Sequence, residues 1–257
     1  MVEKLFFYIL IRAWNSFEYF DRCIDSALSQ KYKNFQILFV DDATPLDQKQ
    51  KKYISRRLKN HITVFNKKRL HSLRNAYEMI RKYAVNPNAV VFNLDGDDWL
   101  LGRHALSSLA MAYSQNTKCL LTYGECLLWN GAKLSEKPSD LLLPNTNVPY
   151  SKKIIRENSY RFKPFYPLHP RTWRVWLFKK IKKQDFLRPD GSWLQFAEDQ
   201  AMFYPMLEMA GGNFLSLKKP VYVHNFDYKY SDLKANLYPL VKDELIIRKK
   251  PRYEPLQ

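Results

Sequence analysis

Residues 89–99 read Ala-Val-Val-Phe-Asn-Leu-Asp-Gly-Asp-Asp-Trp, a short apolar run followed at once by three aspartates. The run 89–94 is rich in residues that favour β-strands and is too short for a helix, which predicts a buried strand. The same pattern occurs earlier in the chain, where the apolar run 35–40 is followed by Asp41 and Asp42. The sequence therefore predicts two buried strands that end in carboxylates.

Predicted strands and helices alternate on both sides of these two runs. Apolar runs predict strands at 5–11, 35–40, 62–65, 89–94 and 221–224, with one or two more within 119–129. Helical periodicity predicts helices from a cap at 15 or 16 to 28, and at 48–58, 70–83, 103–113, 171–182 and 197–210. The proline-rich stretch 133–170 is predicted to be a long loop. This alternation predicts an α/β fold with a largely parallel central sheet flanked by helices.

Composition limits the class of protein. The chain has 257 residues, and its 7 glycines form neither a dinucleotide-binding array nor a P-loop. Its three cysteines have no paired spacing, and no uncharged run reaches the roughly 18 residues of a membrane span, so we expect a soluble protein of the cytoplasm. A net charge of +17 favours polyanions or anionic membranes as partners, although charge clusters are also ordinary solvated surface.

Ligands of open α/β sheets bind outside the carboxyl ends of the strands, which is where the aspartates fall. Closely spaced carboxylates such as Asp95, Asp97 and Asp98 repel one another unless a cation lies among them. Mg²⁺ and Mn²⁺ prefer carboxylate and diphosphate oxygens. The D-x-D spacing therefore favours a metal–diphosphate site, although aspartates that cap turns give the same pattern.

Several ordered motifs together resemble the family 2 glycosyltransferases with the GT-A fold. They are YILIRAWN at 8–15, a helix and strand ending in LFVDD at 42, Arg74-Asn75, FNLDGDDW at 92–99, Tyr123-Gly124 and Glu198-Asp199. The resemblance spans roughly residues 5–227. It implies metal-dependent, inverting transfer of a sugar from a nucleotide-diphosphate sugar, most of all a UDP-sugar, to an acceptor hydroxyl.

The resemblance also implies a role for individual residues on the donor side. The expected nucleotide-binding residues are Arg12, Asp41, Asp42, Arg74 and Asp95, with Asp42 reading the base. The expected Mn²⁺ or Mg²⁺ ligands are Asp97, Asp95 and Asp98.

On the acceptor side, Asp199 is expected to be the general base, with Glu198 assisting it. An acidic pair in the first turn of a helix is also explained by the helix dipole alone. Four further residues are candidate contacts for the diphosphate or the acceptor, although ordinary packing explains each equally well: His169, Arg171, His224 and Trp99.

In this interpretation residues 1–130 bind the nucleotide sugar, 131–232 form the acceptor-binding and catalytic half of the same domain, and 233–257 form a basic tail. The expected acceptor is a glycan, a lipid-linked molecule or a protein. An anionic membrane surface is a further expected partner, and no specific nucleic acid is expected. Two other functions stay open: a nucleic-acid-binding or metal-dependent phosphodiester-processing protein, and a GT-A sugar-binding module without catalysis.

Overall fold

The computed structural model describes residues 4–136, 148–228 and 236–256. The first half contains β1 (Phe7–Ala13), α1 (Phe20–Leu28), β2 (Phe35–Asp41), α2 (Gln48–Arg57), β3 (Ile62–Phe65), α3 (His71–Tyr83), β4 (Val90–Asp95), β5 (Trp99–Leu100) and α4 (Ala105–Gln115). The second half contains β6 (Leu121–Gly124), β7 (Leu127–Trp129), α5 (Lys152–Arg156), β8 (Arg171–Arg174), α6 (Val175–Lys179), α7 (Glu198–Ala210), β9 (Phe214–Leu217), β10 (Tyr222–Asn225) and α8 (Leu237–Lys249).

A seven-stranded sheet has the order β3-β2-β1-β4-β8-β6-β9. Its neighbouring strands are parallel except where β8 pairs with β4 and with β6. The predicted α/β class with a largely parallel sheet is therefore confirmed. The register places Arg12 beside Asp95 and Ala13 beside Asp41, so the carboxyl ends of β1, β2 and β4 meet at one edge.

The sheet is buried on both faces. Alternate side chains of β1 enter different cores: Tyr8 and Leu10 pack with α3, α6 and α7, whereas Phe7 and Ile9 pack with α1, α2 and α4. Helix α7 is buried at every position from Gln200 to Ala210, as expected for an interior helix. Among the described residues, no helix combines the length and the apolar character needed to cross a bilayer.

The predicted helix at 171–182 is wrong in its first part. Residues 171–174 form β8, and the helix α6 covers only Val175–Lys179. Trp173 and Trp176 have helical spacing, but Thr172 and Trp173 are also good strand residues and both are fully buried between β4 and β6. Tertiary packing decides between the two, and it places Arg171 beside Asn93 near the end of β4.

The predicted loop at 133–170 contains a short helix, α5, and a 3₁₀ turn at Tyr160–Phe162. Its residues 137–147 lie outside the described part of the chain. Strand β9 was not predicted, because four half-buried residues after Gly211-Gly212 give little alternation to detect.

The predicted basic tail at 233–257 contains α8, which packs against the body of the protein. Asp243 is fully buried. Its carboxylate accepts hydrogen bonds from the Arg188 Nε and Nη2 atoms, at 2.7 Å each, and from the Gln195 and Phe196 N–H groups. Beyond the helix, the Tyr253 N–H donates to the Glu208 carboxylate at 3.1 Å. The segment predicted to be a basic tail is therefore anchored to the protein through buried carboxylates.

Candidate active site

A cleft of about 300 Å³ lies at the carboxyl ends of β1 and β4, between them and the first turn of α7. Ten of the predicted site residues line it: Arg12, Asp42, Asp95, Asp97, Asp98, His169, Arg171, Glu198, Asp199 and His224. The fold therefore brings the two halves of the predicted site together around one cavity.

Close backbone contact between β1 and β4 forms the floor of the cleft. A Cβ on Gly96 would lie 2.8 Å from the Ala13 Cα and 2.9 Å from the Arg12 carbonyl oxygen. The Gly96 N–H instead donates to that carbonyl at 2.9 Å. Glycine is needed here because any side chain would push the two strand ends apart.

Strained backbone is concentrated around the cleft. Four non-glycine residues beside its lining have left-handed φ angles: Asn15 at 51°, Ala43 at 63°, His71 at 63° and Ala197 at 53°. Such a conformation costs about 1–2 kcal/mol for a residue with a Cβ. Strain of this kind clusters at functional sites, where surrounding packing maintains it.

Asp95 is held by a buried arginine. The Arg12 Nη2 atom lies 2.7 Å from the Asp95 Oδ1 atom, and the Arg12 Nη1 atom lies 3.7 Å from the Glu198 Oε1 atom. Burial opposes the charge on Asp95, but Arg12, aided by His169 and Arg171, outweighs it and lowers the Asp95 pKa to about 2. Arg12 thus links the end of β4 to the start of α7.

Asp97, unlike Asp95, is not held by a basic side chain in the described part of the chain. Its carboxylate makes no hydrogen bond or ion pair with another residue in the described part of the chain, and it lines the cleft. Burial, followed by the negative charges of Asp98 and Asp95, raises its pKa well above the usual range. A cation in the cleft would reverse this repulsion.

Asp98 has no exposed surface and orients the neighbouring strand β10. It accepts hydrogen bonds from the Tyr222 hydroxyl at 2.6 Å and the Asn225 N–H at 2.7 Å, and its Oδ2 atom lies 3.0 Å from the His224 Nδ1 atom. Burial opposes the charge on His224, but Asp98 outweighs it and raises the His224 pKa to about 9. These contacts fix Asp98 in place, and its direct contact with a metal stays a prediction.

Three further residues of the cleft form a group that fits a divalent cation. One ligand atom each of Asp98, His169 and His224 lies within 4.8 Å of the others, and their oxygen and nitrogen donors suit Mn²⁺. A carboxylate that holds one ring nitrogen of a histidine, as Asp98 holds the Nδ1 atom of His224, is the usual support behind a metal-binding imidazole. Strand alternation explains why Tyr222 and His224 reach the same carboxylate, a signal that was present in the sequence.

Asp199 lies in the first turn of α7 and is fixed by Arg171. The Arg171 Nη2 atom donates to the Asp199 Oδ2 atom at 2.9 Å, and both side chains line the cleft. Glu198 lies beside it, nearest to Arg12. The ion pair depends on β8, because only the strand places Arg171 next to β4 and opposite the start of α7.

Asp42 lies at the other end of the cleft and holds the start of α3. Its carboxylate accepts hydrogen bonds from the Asn66 side chain at 2.9 Å and from the Leu70 and His71 N–H groups at 2.7 and 2.8 Å. A carboxylate offers about four acceptor positions, so one remains. The buried Asn75 amide lines the same end, and no described residue forms a hydrogen bond with its Nδ2 atom.

Trp14 and Arg69 also line this end and were not predicted. The Arg69 guanidinium lies 3.4 Å from the centre of the Trp14 ring, a stacked cation–π contact. No motif pointed to Arg69, which lies in the basic cluster 67–69.

Three predicted residues do not line the cleft. Arg74 pairs with Glu78 at 2.7 Å on the outer side of α3. Asp41 borders a small separate cavity and accepts a hydrogen bond from the Thr44 N–H at 3.0 Å. Trp99 packs against Trp129, with Arg22 4.7 Å from the centre of its ring.

Solved structures with a similar fold include proteins from S. aureus and Pyrobaculum calidifontis. S. aureus TarS residues 1–349 superpose with a TM-score of 0.59 at 17% identity, over 86% of this chain and 60% of that one. The complex of the same fragment with UDP gives 0.60 at 16% identity, over 95% and 65%. The mannosyltransferase PcManGT from Pyrobaculum calidifontis, in complex with GDP-Man and Mn²⁺, gives 0.54 at 12% identity, over 87% and 57%. The chain thus spans about three fifths of the length of the first of these structures.

No curated protein matches the sequence with significant similarity. The family model for glycosyl transferase family 2 matches residues 8–180, which is more than half of the chain. The fold, the family model and the solved structures agree, and they confirm the resemblance found in the sequence. The chain belongs to glycosyl transferase family 2, a family of glycosyltransferases, and has the GT-A fold.

Proposed function

We propose that this protein is a metal-dependent, inverting glycosyltransferase that moves a sugar from a nucleotide-diphosphate sugar, in the first place a UDP-sugar, to an acceptor hydroxyl. One observation carries the proposal. Asp97, a carboxylate without a hydrogen-bond or ion-pair partner among the described residues, and Asp199, a carboxylate fixed by an arginine, line a single cleft. Single-displacement transfer needs these two features, a site for the leaving diphosphate and a base for the acceptor.

Asp97 is a proposed holder of the cation, together with the group of Asp98, His169 and His224 in the same cleft. When bound, Mn²⁺ or Mg²⁺ supplies charge neutralisation to the departing nucleoside diphosphate. The similar structures with UDP, and with GDP-Man and Mn²⁺, support a donor of this class. Arg12 keeps Asp95 ionised and in place beside this site.

Asp199 is the proposed general base. It accepts the proton of the acceptor hydroxyl while the hydroxyl oxygen bonds to the anomeric carbon and the bond from that carbon to the diphosphate breaks. Arg171 orients the carboxylate and stays bonded to one of its oxygens. Attack from the side opposite to the leaving group inverts the anomeric configuration.

The acceptor is a glycan, a lipid-linked molecule or a protein. A net charge of +17 favours an anionic membrane surface as a further partner. Three buried cysteines without disulfides, Cys23, Cys119 and Cys126, favour a reducing cytoplasm.

Calorimetric titration of UDP and GDP, with Mn²⁺ and with EDTA, tests the donor half of the proposal. We expect UDP to bind in the presence of Mn²⁺, and we expect this binding to be lost when EDTA removes the metal. Stronger binding of GDP than of UDP would mean that the nucleobase of the donor is guanine. UDP binding that is equally strong with EDTA and with Mn²⁺ would contradict the metal site.

The proposed role of Asp42 gives a second test. Asp42→Asn replaces one acceptor oxygen by a donor, so a base N–H loses its partner at a cost of about 1–3 kcal/mol. UDP affinity should fall by that amount, while pyrophosphate affinity stays close to that of the wild type. Asp41→Asn is the matched control, because Asp41 is adjacent in sequence but lies outside the cleft. Equal weakening of UDP and pyrophosphate would mean that Asp42 serves only to hold α3.

A further inference from the structure

Helix α8 carries an apolar stripe that no described residue covers. Leu237, Val241 and Leu245 are four residues apart, and they are 60%, 43% and 54% exposed. Tyr238 beside them is 81% exposed. Residues at this spacing share one helix face, so the four side chains form a single strip. Strips of this kind mark interaction surfaces.

The opposite face of α8 is anchored. Asp243 and Ile247 are buried, and the hydrogen bonds of Asp243 fix the helix to the segment that leads into α7. The exposure of the stripe is therefore not due to a loosely attached helix, and a partner would find the four side chains already in place.

Basic side chains border the stripe on both sides. Lys242 follows Tyr238 by four residues and Lys249 follows Leu245 by four, and both lysines are exposed. On the other side, Arg248 bonds to the backbone of the 3₁₀ turn that carries the 70% exposed Phe162. Exposed Lys163 and Arg252 flank this phenylalanine.

Helix α8 itself presents little unpaired negative charge. The two carboxylates of α8 are Asp243, which is buried, and Glu244, which pairs with Arg248 at 2.8 Å. An apolar strip between rows of cations fits an anionic lipid surface, where apolar side chains enter the acyl boundary and lysines contact the headgroups. A net charge of +17 attracts the whole molecule to such an extended surface.

We propose that the exposed face of α8 docks onto membranes that contain anionic lipids. Leu237, Val241 and Leu245 enter the interface, Tyr238 lies at its edge, and Lys242 and Lys249 bind headgroups. The docking does not depend on the proposed function. Leu240 on the same helix lines the cleft, so docking places the cleft near the lipid surface. A membrane-held acceptor is the consequence, and this last step rests on the proposed function.

Vesicle flotation of the full chain tests the docking without any donor or acceptor. The vesicles are phosphatidylcholine alone, or an equal mixture of phosphatidylcholine and phosphatidylglycerol. We expect binding to the mixed vesicles and little binding to the neutral ones. Leu237→Gln with Leu245→Gln should weaken binding roughly tenfold or more, since both apolar side chains leave the interface. Lys242→Gln with Lys249→Gln should weaken it by roughly fivefold for each lysine.

Matched controls separate the helix face from general surface effects. Val85→Gln with Met111→Gln changes two residues that are 77% and 58% exposed elsewhere, and it should bind like the wild type. Lys49→Gln with Lys52→Gln on α2 removes the same charge, and it should weaken vesicle binding much less than the α8 lysine pair does. Circular dichroism confirms that each variant is folded. Failure of the wild type to bind mixed vesicles, or α8 variants that match their controls, would overturn the proposal. So would self-association of the wild type that the apolar α8 variant abolishes, because a second copy would then cover the stripe.

Discussion

Asp199→Asn is expected to slow sugar transfer by roughly 10²–10⁴-fold, the usual contribution of general base catalysis. The asparagine keeps the shape of the side chain, and its oxygen still accepts the hydrogen bond that Arg171 now donates at 2.9 Å. Only the basicity is lost. Donor affinity should therefore stay near the wild-type value, so the loss should appear in kcat. Initial rates with the true acceptor, together with a donor titration, measure both quantities.

Two further variants make the assignment specific. Glu198→Gln should reduce transfer less, because Glu198 lies toward Arg12 rather than beside Arg171. Asp190→Asn changes an exposed aspartate of the turn before α7 and should leave transfer unchanged. If Asp199→Asn keeps wild-type transfer, or if Glu198→Gln is the more damaging, another carboxylate is the base.

Asp97→Asn should weaken Mn²⁺-dependent binding of UDP by about 10²-fold or more. Loss of a residue that only supports a metal ligand already costs 10–100-fold in metal affinity, and Asp97 is the proposed ligand itself. Burial, followed by repulsion from Asp98 and Asp95, raises the Asp97 pKa, and a neutral asparagine avoids both penalties, so the change should not destabilise the fold. Calorimetry with UDP and Mn²⁺ measures the first effect, and thermal unfolding measures the second.

Asp47→Asn is the control for the loss of one carboxylate. Asp47 caps α2 outside the cleft, and asparagine is an equally good cap. Its UDP affinity should match that of the wild type. UDP affinity that survives in Asp97→Asn would mean that Asp98, His169 and His224 hold the cation without Asp97.

The donor half of the cleft could be predicted from sequence because its signals are local. Two of the parallel strands there are short apolar runs with a carboxylate directly after them, as at Val40 and Leu94. Parallel strands end at one edge, so local patterns were enough to bring Asp42, Asp95 and Asp97 to one cavity.

The acceptor half depends on contacts between distant residues, which local patterns do not encode. Arg171 meets Asp199 only because residues 171–174 are a strand that reverses direction within the sheet, whereas the spacing of Trp173 and Trp176 indicated a helix. The anchoring of α8 depends on Asp243, whose partner Arg188 is 55 residues away. Arg74 shows that a motif does not by itself fix where a side chain points: it pairs with Glu78 outside the cleft, and its contact with the nucleotide stays a prediction.

The central claim is that this cleft binds a nucleotide sugar through a divalent cation and breaks the bond between the sugar and the diphosphate. The most direct test is the initial rate of nucleoside diphosphate release from a panel of UDP- and GDP-sugars, measured with Mn²⁺ before and after EDTA is added, for the wild type and for Asp97→Asn. Our account predicts release from a UDP-sugar by the wild type with Mn²⁺, no release after EDTA, and none by the variant. Release that continues unchanged in EDTA, or no release from any nucleotide sugar by the folded wild type, would contradict it.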